Sequence, residues 1–138
     1  GFLLGLFFFS VVMLIISLDQ DFNKFTGEEN ISIVCSNKSI FDASKCAVEI
    51  TKKFYKYNIS NIGKDLDLER LKKEGGVCSS WSDYYKEIGL ELGFYSNNVI
   101  FNNNCSKLHE INIWSDEDGY CLMDQDIIYC VPLENNKK

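Results

Sequence analysis

The chain has a single histidine, His109, and no two of its cysteines stand at C-x-x-C spacing. The usual zinc sites draw on several histidines or on closely paired cysteines, so they are excluded. Lys and Arg are not in surplus: 14 basic residues face 20 acidic ones, for a net charge of -6. A nucleic-acid surface needs concentrated basic side chains to displace counterions, and this balance argues against one. The pair Gly75-Gly76 lacks the lysine and the preceding strand of a phosphate loop. Asp116, Glu117 and Asp118 offer at most a weak calcium site, and a solvated turn accounts for them better. No internal repeat is present. No metal or cofactor is expected.

Charge is also absent from residues 1–18, GFLLGLFFFSVVMLIISL. At about 1.5 Å per residue such a helix is roughly 27 Å long, close to the roughly 30 Å apolar core of a bilayer. We read it as a single membrane-anchor helix. The apolar part of a secretory signal is the rival, but the run is long for one and no small-x-small cleavage pattern comes after it. Asp19 and Asp21 precede Lys24, which favours the outer side of the membrane for the residues beyond the helix. Residues 19–38 are then a polar juxtamembrane tether, interrupted by the apolar run Ile31 to Val34; 39–134 are one domain and 135–138 a disordered tail.

Six cysteines, Cys35, Cys46, Cys78, Cys105, Cys121 and Cys130, are many for such a domain and suggest an oxidising compartment. Four glycosylation sequons begin at Asn30, Asn37, Asn58 and Asn104, about half of them attributable to chance in an Asn-rich chain. Anchor, acidic flank, cysteines and sequons together predict a membrane-anchored, extracytoplasmic domain at the cell surface.

From Asp42 to Tyr57, Ala43, Ala47, Ile50, Phe54 and Tyr57 recur at steps of four and three, which predicts a helix capped by Ser39 or Asp42. LDLERLKKEGG predicts a short helix ending at Gly75. In GGVCSSWSDYYKEIGLELG, Trp81, Tyr84, Tyr85, Ile88 and Leu92 mark one face of a helix that Cys78 opens and Gly93 stops. The period then changes to short β-rich runs, at Asn98 to Asn102, His109 to Trp114, Gly119 to Gln125 and the IIYCV run. Helices first and strands last predict an α+β domain, with N-terminal helices packed on a small antiparallel sheet.

A thiol in the first turn of a helix meets unpaired N–H groups and the positive end of the dipole, which favour the nucleophilic thiolate. If Ser115 to Asp118 form a hairpin connection, Trp114 pairs with Gly119 and His109 stands opposite Asp124. A turn centred on Asp118-Gly119 would instead set His109 opposite Ile128, so the pairing is favoured over an open alternative. Taken singly, His109 is a half-buried strand residue, Cys78 a disulfide half and Asp124 a strand-end carboxylate. Their conjunction makes a candidate triad: the histidine takes the thiol proton and the aspartate holds the histidine.

From Leu68 to Gln125 the chain resembles the transglutaminase-like superfamily, a branch of the papain-like cysteine enzymes. The likeness is carried by Gly76-Val77-Cys78 opening a helix, by Gly93-Phe94 after it, by His109 on a strand, and by Gly119-Tyr120 before the strand ending at Asp124. Ile111 stands where the family often has Trp, and Asp126 is the alternative carboxylate. The resemblance implies a transglutaminase-like core and acyl transfer at a protein or peptide amide, with Cys78, His109 and Asp124 as catalytic residues and the Cys78 N–H as an oxyanion donor. Trp81 is a weaker candidate for the site wall. Two other readings compete: a non-catalytic binding module on the same fold, with Cys78 in a disulfide, and a filament or other homo-oligomer assembled through residues 1–18.

Overall fold

A computed structural model describes residues 30–103 and 107–134. The expected anchor, the tether as far as residue 29, Cys105 with its sequon, and the tail lie outside the described residues. Among those described, no helix is long and apolar enough to cross a membrane.

The described chain is α+β, with four helices preceding a four-stranded antiparallel sheet. Helix α1, Ile31–Val34, occupies the apolar run expected within the tether; Ile31 is buried, and Cys35 just beyond it is bonded to Cys46. Helix α2 spans Ile40–Lys52, and Ser39 caps it by accepting the Asp42 N–H at 3.2 Å. Its buried face is Ile40, Ala43, Ser44, Ala47, Val48 and Thr51, the i, i+3, i+4 stripe of a helix lying on a core. The expected seam reached Tyr57, but the helix ends at Lys52 and Tyr57 is exposed, with Asn58 bonded to the Gly76 carbonyl instead.

Helix α3, Leu68–Glu74, is capped by Asp67 and closed by Gly75, whose φ of 80° suits glycine. Helix α4, Cys78–Glu91, buries Trp81, Ser82, Tyr84, Tyr85, Ile88 and Gly89. Strands β1 (Tyr95–Asn103), β2 (Lys107–Ser115), β3 (Gly119–Asp124) and β4 (Ile127–Pro132) form a meander in chain order.

Side chains alternate across each strand. Asn112 and Trp114 pair with Met123 and Cys121, and all four are fully buried under the helices. Trp114 donates its indole N–H to the Tyr85 carbonyl at 2.9 Å, through the space that Gly89 leaves by having no side chain. A polar line runs beside it, Ser96 to Asn112 to Asn98 to Asp83, so the buried amide of Asn112 is satisfied. Cys121 and Cys130, directly opposite in the β3–β4 register, form the second disulfide. Two disulfides suggest an oxidising, extracytoplasmic setting.

Candidate active site

The hairpin between β2 and β3 turns on Glu117-Asp118. Asp116 donates its N–H to the Gly119 carbonyl at 3.0 Å, and its carboxylate accepts the N–H of Asp118 at 2.8 Å. Asp116 is thus the acceptor that shapes the turn. Trp114 consequently pairs with Cys121 and not with the expected Gly119. A displacement of two residues keeps every side chain on its own face. His109 and Asp124 therefore still share a face and meet diagonally, His109 Nε2 to Asp124 Oδ1 at 2.8 Å. Diagonal neighbours are within reach of long side chains. Phe101, paired with His109 across β1 and β2, sets its ring edge-on to the imidazole with centroids 5.3 Å apart.

The alternation also fixes which face this is. Trp114 and Met123 point to the helices, so His109, Ile111 and Asp124 lie on the other side of the sheet, near the ends of β2 and β3. His109 is 24% exposed and Asp124 40%.

Cys78 is the first residue of α4, half-buried and a free thiol. The Val77 N–H preceding it donates to Ser80 Oγ at 3.3 Å, which fixes the start of the helix. Gly76 is needed beside it, because a Cβ there would lie 2.6 Å from both Leu71 Cδ1 and Ser80 Cβ. Contacts along α4 step from Trp114, at Tyr85 and Gly89, to Asn98, at Asp83. That direction runs along β2 from Trp114 toward His109, so α4 points its first turn, with Cys78, toward the dyad's end of the sheet but on the opposite face. The structure joins His109 to Asp124; it forms no hydrogen bond between Cys78 and His109.

Next to Asp124 is a set of residues of which the sequence singled out only Trp81 for the site. Tyr55, after α2, donates its hydroxyl to Gln125 Oε1. Tyr85 donates to the Gln125 carbonyl at 2.7 Å. Burial pushes the Tyr55 phenol up to about 12, and the charges of Asp126, Asp124 and Cys78 add to the rise. Tyr55 packs on Trp81 with ring centroids 5.0 Å apart, and Trp81 donates its indole N–H to the Lys56 carbonyl at 3.2 Å. Trp81 is fully buried, which makes it the wall behind Tyr55.

A groove of about 550 Å³ lies elsewhere, lined by residues that include Leu66, Leu71, Ser79, Asp83, Lys86 and Leu90. It contains neither Cys78 nor His109.

No protein-family model, curated protein or solved structure matches this chain.

Proposed function

We propose that this is an extracytoplasmic cysteine enzyme of acyl transfer, acting on a protein or peptide amide on a transglutaminase-like core. The observation that carries the proposal is the His109–Asp124 hydrogen bond, formed between the chain's sole histidine and the aspartate expected beside it. The carboxylate occupies Nε2, which leaves Nδ1 to receive the thiol proton. Support also comes from Cys78: it opens a long helix and stays a thiol where four other cysteines are paired.

In this reading the Cys78 sulfur attacks the amide carbonyl, forming a C–S bond. Its proton passes to His109, which returns it to the departing nitrogen as the C–N bond breaks, releasing ammonia or an amine. Water or a second amine then resolves the thioester. Asp124 stabilises the imidazolium, and the N–H of Cys78, which has no acceptor within its own helix, is one oxyanion donor. The reading therefore requires the ring, which starts on the sheet face turned away from α4 and shares no hydrogen bond with Cys78, to reach the thiol when substrate is bound.

The test is iodoacetamide labelling of the non-reduced protein from pH 5 to 9, with peptide mapping of Cys78. The reading requires labelling that stays fast below the ordinary thiol range near 8.5 and slows in His109→Ala. Ordinary thiol kinetics, unchanged by that substitution, would sink it. A non-catalytic binding module would then come forward, with Cys78 a free thiol and not the disulfide half expected for it, favoured over the filament reading by the apolar side chains that β1 and β4 expose, Val99, Ile100, Phe101, Ile127 and Tyr129.

A further inference from the structure

Gln125 is one of two non-glycine residues with positive φ among those described, at 59°. It is the first residue of the two-residue link between Asp124 and Ile127, which pair across β3 and β4. Glycine or asparagine takes this backbone conformation with less strain, and either would serve a turn whose only task is to reverse the chain. Glutamine is explained by what its side chain and carbonyl hold. Both accept phenol hydroxyls, Oε1 from Tyr55 and the carbonyl oxygen from Tyr85 at 2.7 Å. The two tyrosines belong to the helical layer, Tyr85 on α4 and Tyr55 packed at a tilt against the α4 residue Trp81. The residue they grip comes directly after Asp124.

We infer that Tyr55, Tyr85 and Gln125 form a clamp that fixes the β3–β4 turn to the helical layer and so holds Asp124 against His109. Gln125 is thus a positioning residue, acting through Asp124. Two hydrogen bonds from different elements leave the turn little freedom to rotate the carboxylate away from Nε2. The Tyr85 bond also ties the sheet end that bears the dyad to the helix that bears the thiol. In that last step the inference rests on the proposed cysteine chemistry; the hold on Asp124 does not depend on it.

The chain's single histidine makes the test direct, because the imidazole ¹⁵N spectrum contains one ring. In the wild-type protein the Nε2–H proton, held by Asp124, gives a signal protected from solvent exchange, assigned by its loss in Asp124→Ala. Tyr55→Phe deletes one hydroxyl, and Gln125→Met keeps the length of the side chain without its oxygen. Each is expected to speed exchange of that proton about tenfold. The double variant should be no worse than either single one, since both remove the same bond. Exchange as slow as wild type in both single variants overturns the clamp, as does full additivity in the double. Labelling of Cys78 in the same proteins separates the two proposals. If the ring proton responds but labelling ignores His109→Ala, the clamp stands and the cysteine chemistry falls. If labelling depends on His109 while the ring proton ignores Tyr55 and Gln125, the reverse holds.

Discussion

At the scale of single residues, the candidate site turns on which carboxylate serves His109. Asp124 and Asp126 flank the turn residue Gln125, and only Asp124 is bonded to the ring. Asp124→Ala should therefore slow Cys78 labelling on the order of a hundredfold, a loss typical of an impaired acid–base partner. Asp126→Asn should leave the rate within about twofold of wild type. Peptide-mapped labelling at pH 6 measures both, and equal effects from the two would remove Asp124 from its proposed role. His109 and Asp124 were legible because a shift of two residues in a hairpin preserves the face, so an error in turn position did not separate them. Gln125 was not legible. A glutamine between two aspartates gives no sign of positive φ, and its partners Tyr55 and Tyr85 come from elements 70 and 40 residues away in sequence. Tyr85 carried the signal of a core residue, which it also is.

At the scale of elements, α4 was the most legible, since its aromatic stripe and both glycine boundaries fall where the period puts them. Helix α2 was legible in kind but not in extent. Its stripe continues in sequence to Tyr57, yet the backbone after Lys52 is drawn off to pair with Gly76, a tertiary preference that periodicity cannot contain. The contact between α4 and the sheet gives a sharp test. A Cβ at Gly89 would collide with the Trp114 indole nitrogen and ring, and with Ser96 Cβ at 2.8 Å. Alanine gains about 1 kcal/mol of helix propensity over glycine. Against this stand an overpacking cost of about 1–3 kcal/mol and the loss of the Trp114 to Tyr85 hydrogen bond, about 1 kcal/mol. Gly89→Ala should therefore be destabilising by roughly 2 kcal/mol, read as a lower urea midpoint at unchanged slope. Equal or greater stability would show that the indole does not need that gap.

At the scale of the whole molecule, stability is distributed between two disulfides and an aromatic core, and each makes a separable prediction. The bridges close short loops, with sequence separations of 11 and 9, and the chain-entropy account gives each about 3 kcal/mol. Each bridge has one fully buried half, Cys35 or Cys121, and one partly buried half, Cys46 or Cys130, whereas Cys78 is a half-exposed free thiol and should be alkylated before either bridge yields. The aromatic core sets the alkaline limit. Phe54, Trp81, Tyr84 and Tyr85 pack in tilted and edge-on pairs, with Tyr84 also sharing a 3.0 Å hydrogen bond with Thr51. Burial is the first cause raising the phenols of Tyr84 and Tyr85, as it is for Tyr55 at about 12, all from an ordinary value of 10.0. A raised phenol keeps its proton in the folded state after the unfolded chain has released it. The stabilisation is therefore fully present below pH 10 and is lost as pH rises from there through the folded values. Melting temperature should be level across that boundary from below and fall steeply above it. The absorbance change of phenolate formation should carry a late component from three of the seven tyrosines, coincident with loss of tertiary structure. Smooth ionisation of all seven with the fold intact would mean that these hydroxyls are open to solvent, and would remove the Tyr55 hydroxyl from its bond to Gln125.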